Sequence, residues 1–457
     1  MVYELYGKAH KVAKAMLGRF YVPQYRLVSV PDSELKHNLF PVIISDNSEF
    51  INECRISEGA VRGEDVFPLE NIVKIGTYSR LKDSFNLKKK TVSMGVKHDE
   101  AINAWSKFIE ASKIPEGYRN AGLSYAGYIL EADSWCLPSW IWTNAAIVRM
   151  NCSYGDLVEA RRIADILISM QKPEGGWIVR FDYDDQGAVP IWAPNDSAYV
   201  ANNACVEMYL ATKEQKYLDA AELCAQWIIT TARSDGMVYV GYNMRKDKWQ
   251  TKHNIVDVGF TAGLFSRLFQ ITGKKEYKSF LDRFVSKYIE LFYISGKGFA
   301  TSLDEKDHIM GGMFGRGQAW ALEGLIPYYA LTKDKKIDKI INSTVRTLLR
   351  NQMKDGGWPY NLTRKLMGVD CKATAIIGDS LLKWYKLHPD YTDCLSAAKR
   401  ALLWCEKHTA ISEACAGGIF AYCTEGAIVH NMYTSTAFTY SNAYAIELWE
   451  MLKEYEV

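Results

Sequence analysis

The sequence lacks the features that mark membrane-spanning, nucleic-acid-binding or metal-binding proteins. No stretch approaches eighteen consecutive apolar residues, which is about the length of a membrane-spanning helix. The 55 basic and 53 acidic residues leave a net charge of only +2, so nothing predicts nucleic acid or an anionic membrane surface as a partner. The ten cysteines form no CxxC pair and the eight histidines are scattered. Neither a metal site nor a cofactor is therefore expected.

The amino-terminal segment also lacks the apolar core of a signal peptide. Basic residues interrupt MVYELYGKAHKVAKAMLGRFYVP at four places, and the segment is more typical of an amphipathic helix docked on the protein. With 48% hydrophobic residues, the 457-residue chain is long enough to bury a large core. Dispersed cysteines favour reduced thiols. These observations predict a globular, cytoplasmic protein.

What the chain does have is a long internal repeat. Thr212, Thr272 and Thr332 stand sixty residues apart, and each ends an apolar helical pattern that a polar turn and a second amphipathic pattern follow. A Gly-Gly-aromatic or related element runs in step with them, in GGW at 175–177 and again at 356–358. Glycine there would release the chain at a helix end, and the aromatic residue would cap the layer.

The period predicts the architecture. A sixty-residue unit suits a helical hairpin with its loops, and the chain beyond about residue 100 holds about six such units. We therefore predict an all-α domain over 96–457, built as an (α/α)6 toroid of six helical hairpins, with an open superhelix as the alternative. Residues 1–95 do not share the repeat and are predicted to form an N-terminal extension or small domain with short irregular or β segments, such as RLVSV and FPVII.

The repeat also predicts which distant residues meet. Counting fifteen or sixteen residues back from the turn threonines leads to Asp196, Asp257 and Arg316, with Gln318 beside the last. In a toroid the first helices of the hairpins form the inner wall, and their N-termini share one mouth. Trp140 and Asn144 hold a comparable place before the first of these helices.

An aspartate at a helix start has a plain structural explanation as an N-cap. The sequence around Asp196 and Asp257 favours a functional role over simple capping. Asp196 lies among small residues and amides, and Asp257 lies in an apolar stretch that would tend to raise its pKa and make it a proton donor. Arg316 could bind a carboxylate in a fork geometry, and the loop residue His308 could serve either structure or substrate.

Aromatic residues near the same helix starts indicate a carbohydrate site, since sugar C–H faces stack on aromatic rings. Most of them would also serve a large helical core. Of this set we predict that Trp140 and Trp320 face the cavity; the full set is Trp135, Trp140, Trp142, Trp192, Tyr242, Trp249, Trp320 and Trp358.

These residues resemble glycoside hydrolase families 88 and 105, the unsaturated glucuronyl and rhamnogalacturonyl hydrolases. FGRGQAWALEGL (314–325) resembles the family segment that opens an inner helix, and NIVDVGFTAGLF (254–265) the block with the catalytic aspartate, on Asp257. PNDSAYV (194–200) is similar to the block with the second aspartate, on Asp196, and the block around 355–382 places a further aspartate at Asp370. YSNAYAIELWEML (440–452) resembles the last inner helix. The sequence departs from the family at Asn195, where members often have histidine.

The resemblance implies an activity on oligosaccharides that end in a 4,5-unsaturated uronic acid. The double bond is hydrated: an aspartic acid protonates C4, water adds at C5, and the resulting hemiketal opens with loss of the glycosidic bond. Carried over, Asp257 donates the proton and Asp196 holds the sugar hydroxyls and modulates Asp257. The resemblance further implies substrate contacts from Trp140, Asn144, His308, Arg316, Gln318 and Trp320, with no metal.

Two other classes stay open. A uronyl epimerase, a polysaccharide lyase or an ordinary glycosidase could use a similar toroid, and Tyr242, His253 and His308 could supply the base that a lyase needs. A glycan-binding or scaffold toroid without catalysis is the rival from outside enzymology, motivated by Asn195 and the extra N-terminal region.

Overall fold

In the computed structural model, the described part of the chain runs from 92 to 455, together with four two-residue strands nearer the N-terminus. Gaps within that part fall at 115, 117–120, 130–133, 137–140, 185–186, 245–246, 251–254, 311, 364–368, 413 and 426–431. Among the described residues no helix is both long and apolar enough to cross a membrane. Seven cysteines are free thiols: Cys152, Cys205, Cys224, Cys371, Cys394, Cys405 and Cys415.

Six outer and six inner helical segments alternate along this part of the chain. The outer helices are α1 (His98–Ala111), α3 (Leu157–Ser169), α6 (Gln215–Thr231), α8 (Lys275–Phe292), α10 (Lys335–Asn351) and α12 (Thr392–Lys407). The inner helices are α2 (Ile141–Tyr154), α4 and α5 (Pro194–Val200 and Glu207–Thr212, joined by the π-helical turn Ala201–Val206), α7 (Phe260–Thr272), α9 (Gly315–Thr332), α11 (Cys371–Leu387) and α13 (Thr439–Leu452).

The inner helices close into a ring. Each packs against the next, and the last, α13, packs against both α11 and the first inner helix α2. This confirms the predicted closed toroid against the open superhelix. Burial follows the two layers: α11 is buried on nearly every face, whereas α10 buries one stripe at helical spacing. That stripe consists of Ile337, Ile340, Ile341, Thr344, Val345 and Leu348.

The three repeated threonines make the same pair of hydrogen bonds at the ends of three inner helices. At the end of α5 the Thr212 hydroxyl donates to the Met208 carbonyl at 2.7 Å and accepts from the Glu214 amide at 3.2 Å. The intervening Lys213 adopts the left-handed conformation, with φ of 62°. Thr272 and Thr332 make the same two bonds. The threonine thus satisfies a carbonyl and an amide that the helix end would leave unpaired, which explains the sixty-residue spacing.

The glycine elements join neighbouring outer helices. Gly175 and Gly356 have φ of 116° and 98°, and a Cβ on either would overlap a backbone carbonyl of the next outer helix. The indoles of Trp177 and Trp358 each donate at 2.8 Å to a carbonyl near the end of the preceding outer helix. The positive φ agrees with the predicted release of the chain after a helix, and the structure adds two roles that the pattern did not predict: glycine allows the close approach, and tryptophan satisfies a carbonyl at the helix end.

The two ends of the ring differ in the length of their connections. Inner helices lead into outer helices through short turns, and we call that end the short-turn mouth. Outer helices return to the next inner helix through long connections at 112–140, 170–193, 232–255, 293–314, 352–370 and 408–438, which form the long-loop mouth. All six inner helices begin at the long-loop mouth.

Small sheets occupy those long connections. One antiparallel sheet runs β15 (Phe420–Glu425), β16 (Met432–Phe438), β5 (Gly127–Ile129), β6 (Ser134–Cys136), and so ties the last connection to the first. A second runs β10 (Lys248–Gln250), β9 (Gly241–Asn243), β8 (Gly187–Trp192), β7 (Ile178–Asp184). The fourth connection holds two hairpins, β11 (Tyr293–Ile294) with β12 (Gly298–Phe299), and β13 (Ser302–Leu303) with β14 (Ile309–Met310).

The N-terminal region contributes four short strands to the described residues. β2 (Leu27–Val28) pairs antiparallel with β3 (Val42–Ile43), and both lie in segments that the sequence predicts as extended. β1 (Pro23–Gln24) pairs with β4 (Thr77–Tyr78). The domain boundary near 95 and the amphipathic N-terminal helix stay predictions, and the helix lies outside the described residues.

Candidate functional site at the long-loop mouth

The two predicted catalytic aspartates lie in the first turns of neighbouring inner segments. Asp196 is in the first turn of α4, and Asp257 is in the 3-10 turn Val256–Gly259 that leads into α7. Both are half-buried. The N-cap positions belong to Ala193 and Ile255, so neither aspartate is the N-cap of its helix. Their placement at the same mouth agrees with the repeat.

Each aspartate has a polar neighbour. The Asn195 amide lies 3.4 Å from Asp196 Oδ1, which places the residue that departs from the family pattern in contact with the predicted site. Beside Asp257, the Tyr288 hydroxyl donates to the Val256 carbonyl at 2.8 Å. Burial, and next the negative charge of Asp257, holds the pKa of Tyr288 well above its usual range. Tyr288 is therefore a neutral donor that braces the turn.

Arg316 is buried and already paired. Its guanidinium forms an ion pair with Asp370, which is fully buried and caps α11 by accepting from the Lys372 amide at 3.0 Å. The rings of Trp320 and Tyr360 lie 5.3 and 5.0 Å from the guanidinium carbon. The structure thus gives the predicted uronate-binding cation a firm position and a carboxylate partner, and direct contact with substrate stays a prediction.

Lys372 is a candidate that the sequence did not single out. It is 4% exposed at the start of α11, and its ammonium lies 4.2 Å from the centre of the Phe438 ring and 6.0 Å from that of Trp142. A cation over aromatic faces is held by the ring quadrupoles. The repeat could in principle have pointed to Lys372, since it lies at the start of an inner helix. However, α11 ends before His388 and lacks the turn threonine, so counting back from a threonine did not reach Lys372.

Aromatic rings from several inner helices line this end in one chain of contacts. Trp142 meets Tyr440 edge-on at 4.8 Å, and Tyr199 lies 6.5 Å from Tyr440 and 4.6 Å from Phe260. Phe260 in turn meets Trp320 at 5.9 Å. Trp142 and Trp320 are half-buried while the other three are buried. Trp320 belongs to this chain of rings, but a cavity-facing role for it stays a prediction, and Trp140 lies outside the described residues.

Two residues that the sequence predicts as substrate contacts have side chains that hydrogen-bond to the backbone of loops. Asn144 is buried, accepts from the Ser124 amide at 2.8 Å and lies 3.3 Å from its carbonyl. Gln318 is buried, accepts from the Phe299 amide at 2.7 Å and donates to the Phe299 carbonyl at 2.8 Å. Each amide fixes a long connection against an inner helix. A bond to sugar from either residue stays a prediction.

His308 lies in the turn of the β13–β14 hairpin, away from the helix starts in sequence. Its side chain is 72% exposed and its Nδ1 is 3.3 Å from the Asp304 carboxylate. The neighbouring Asp307 pairs with Arg233 at 2.7 Å, which fastens the hairpin to the connection after α6. A substrate contact from His308 stays a prediction.

A lyase or an epimerase would need a catalytic base. Tyr242 is the tyrosine that the sequence offers for this role. The Tyr242 hydroxyl donates to Asp247, and that bond raises the pKa of Tyr242. Proton abstraction by a phenolate needs the pKa lowered. The geometry at Tyr242 therefore does not favour a lyase or an epimerase, and His253 lies outside the described residues. No cluster of possible metal ligands occurs among the residues that the structure describes.

No protein-family model matches the sequence, and no curated protein matches it. Solved structures do resemble the fold. An unsaturated glucuronyl hydrolase specific for heparin is 14% identical with a TM-score of 0.61, over 79% of this chain and 96% of that one. The unsaturated glucuronyl hydrolase of Bacillus sp. GL1 is 13% identical with a TM-score of 0.61, over 78% and 97%. A possible family 105 member from Salmonella enterica is 16% identical with a TM-score of 0.57, over 80% and 97%.

A glycoside hydrolase of another family resembles it as well. The family 76 α-mannanase from Bacteroides thetaiotaomicron is 12% identical with a TM-score of 0.54, over 79% of this chain and 96% of that one. These likenesses confirm the predicted toroid of families 88 and 105. At such identities they establish the fold, and the activity has to be argued from the site.

Proposed function

We propose that the protein is a glycoside hydrolase that acts on oligosaccharides with a 4,5-unsaturated uronic acid at the non-reducing end. The observation that carries the proposal is the placement of Asp196 and Asp257 in the first turns of adjacent inner segments, neither of them as an N-cap. Solved unsaturated glucuronyl hydrolases share this fold. Half-buried carboxylates at the mouth of a cavity are suited to proton transfer.

The chemistry is a hydration. Asp257, as the acid, gives its proton to C4 of the sugar ring, and a water molecule adds its oxygen at C5 and returns its proton to the carboxylate. The product is a hemiketal at C5, which opens and releases the glycosidic partner. Asp196 holds ring hydroxyls and influences the proton affinity of Asp257. An ordinary glycosidase instead needs two carboxylates that flank the anomeric carbon.

The surroundings suit a sugar that carries a carboxylate. The Trp142 and Trp320 rings offer apolar faces for the sugar ring, and Lys372 and Arg316 bring positive charge to the same helix starts. Lys372 and Arg316 are the two cations that we expect to take part in recognition of the uronate, with Asp370 as the existing partner of Arg316. A cation in a site of low dielectric attracts a carboxylate more strongly than it would in water.

The test is incubation with a panel of 4,5-unsaturated uronyl disaccharides, followed by loss of the ultraviolet absorbance of the double bond. We expect turnover of at least one of them, and Asp257→Asn should lower its rate by about 10²- to 10⁴-fold, the usual contribution of a general acid–base residue. Asp219→Asn, on an exposed face of the outer helix α6, is the matched control and should keep the wild-type rate. No loss of absorbance with any disaccharide, from folded protein, would overturn the proposal.

The second candidate is a hydrolase of neutral mannan, which the likeness to the α-mannanase supports. Release of reducing sugar from α-mannan, with no change in the unsaturated disaccharides, would favour it. A lyase would raise the absorbance on an intact uronate polymer. Binding of sugars without turnover, unaltered by Asp257→Asn, would indicate the glycan-binding scaffold. A cytoplasmic location stays a prediction from the sequence.

A further inference from the structure

A second cavity lies at the opposite end of the ring, at the short-turn mouth. It has a volume of about 400 Å³ and is lined mostly by the later turns of the inner helices, with Phe260 from the first turn of α7 also in its wall. Buried tyrosines separate it from the long-loop mouth: the hydroxyls of Tyr199 and Tyr444 are 2.9 Å apart, and the Tyr440 ring packs on Tyr444 at 4.6 Å. The cavity is therefore distinct from the site of Asp196 and Asp257.

A network of charged side chains forms the floor of this cavity, and all its members except the deeper Asp379 line the cavity itself. Arg149 donates to Glu323 at 3.0 Å and to Glu447 at 2.6 Å. Lys383 pairs with the buried Asp379 at 2.7 Å and lies 3.4 Å from Glu447. The network thus joins three carboxylates to two cations, and these five groups carry one excess negative charge when all are ionised.

The other charged groups at the cavity cancel in pairs. Arg267 lies 2.7 Å from Glu207, and Lys386 lies 3.1 Å from Glu454. They leave the excess charge of the floor uncompensated. An uncompensated charge attracts a counter-ion, and the attraction grows as less water screens it.

Two buried acceptors on residues that line the cavity have no hydrogen-bond donor. Glu323 Oε1 accepts hydrogen bonds from Arg149 at 3.0 Å and from the Tyr444 hydroxyl at 2.7 Å. Glu323 Oε2 has no donor, although the side chain is only 10% exposed. The Ser380 hydroxyl is also buried and without a partner. Both residues line the cavity. Buried polar atoms are nearly always satisfied, so this pair indicates a missing donor.

Apolar side chains complete the walls above these acceptors, among them Leu322, Ile326 and Leu387. A ligand that fits both parts carries a hydrogen-bond donor with positive charge at one end and an apolar body at the other. We propose that the short-turn cavity binds a small organic cation whose primary ammonium group donates to Glu323 Oε2 and the Ser380 hydroxyl. An anionic ligand would face the excess carboxylate, and a purely apolar one would leave both acceptors unsatisfied.

Isothermal titration of the full chain at pH 8 with three molecules of equal length tests the proposal. At this pH Asp379 is ionised, because burial, opposed by Lys383 and assisted by Glu447, raises its pKa only to about 6. Hexylammonium should bind with a stoichiometry of one. Hexanol and hexanoate should bind at least tenfold more weakly, because they lack the cation.

Variants locate the site. Glu323→Gln should weaken hexylammonium at least tenfold, and Glu290→Gln, an exposed glutamate on α8, should leave the affinity unchanged. Since Glu323→Gln could disturb folding, Asp379→Asn serves as a second variant: it removes the excess charge without touching the cavity wall and should also weaken binding. Equal affinity for hexanol, tighter binding of hexanoate, no binding of hexylammonium, or an unchanged affinity in both folded variants would each overturn the proposal.

Discussion

The two mouths of the ring are built from the same six inner helices and yet have opposite characters. At the long-loop mouth, connections with their own small sheets surround half-buried aspartates, aromatic rings and the cations Lys372 and Arg316. At the short-turn mouth, turns capped by threonine surround a buried charge network centred on Arg149. The residues that repeat are thus concentrated where the chain must turn.

Within each repeat, some positions serve stability and others are free to form a reaction site. Positions that recur every sixty residues, such as Thr212 and Thr272, satisfy helix ends in the same way in each hairpin and so serve stability. Positions at the other ends of the same helices vary from one hairpin to the next: Asp196, Asp257 and Arg316 occupy related places. Variation within a regular frame places unlike side chains around one mouth, as a reaction site requires.

Removing the centre of the buried network should have the largest effect on stability. Arg149→Met should lower the free energy of unfolding by about 3–5 kcal/mol, because it leaves Glu323 and Glu447 buried without their main partner. The measurement is urea unfolding. Arg161→Met removes a partly exposed ion pair with Glu214 and should change the free energy of unfolding by no more than about 0.5 kcal/mol. Equal effects of the two changes would show that the network is not a stabilising centre.

The glycine elements give a prediction of intermediate size. Gly356 and Gly296 both have positive φ, but a Cβ on Gly356 would overlap the Arg400 carbonyl whereas one on Gly296 would meet open space. Gly296→Ala should cost about 1–2 kcal/mol of unfolding free energy from backbone strain alone. Gly356→Ala should cost about 1–3 kcal/mol more, because a backbone must move as well. Similar losses in both variants, in the same unfolding assay, would mean that close helix approach is not the reason for this glycine.

The smallest predicted effect concerns pH at the short-turn mouth. Burial raises the pKa of Asp379 to about 6, and Lys383, Glu447 and Arg149 are the charged groups around it. Since the unfolded carboxyl titrates near 4, the folded state binds the proton more tightly. This contribution to stability therefore falls as pH rises from about 4 to 6, and the loss is complete above 6.

Asp379→Asn removes that dependence. The difference in stability between the variant and the wild type should change by on the order of 1 kcal/mol between pH 4 and pH 7, in favour of the variant at the higher pH. Thermal unfolding across this range measures it, and the slope of the difference is the readout because a constant offset could come from Lys383 losing a partner. A difference that does not vary with pH would contradict the assigned pKa.

The parts of the fold that depend on local pattern could be predicted from the sequence. The turn threonines, the glycine elements and the starts of α7 and α9 follow from spacing, because helix ends have local requirements that recur with the repeat. The closed ring follows from the number of units. The same spacing led to Asp196, Asp257 and Arg316.

Pairings between different repeats could not be predicted. Arg316 meets Asp370 from the next inner helix, and Arg149 meets Glu447 from the far end of the chain, because only closure of the ring brings them together. Nor did the sequence reveal that Asn144 and Gln318 bond to loop backbone. In the sequence, an amide side chain at a helix start looks the same whether it binds a sugar or a backbone carbonyl. Its partner depends on the path of the neighbouring loop.

The most direct test of the central claim is to locate the sugar. Crystals of the Asp257→Asn variant would be soaked with the unsaturated disaccharide that the wild-type protein consumes fastest, and the position of the sugar determined from difference density. We expect the unsaturated ring at the long-loop mouth, within hydrogen-bonding distance of Asp196 and the substituted position and against Trp142 or Trp320. Sugar bound in the cavity beside Glu323 and Ser380, with the long-loop mouth empty, would contradict it.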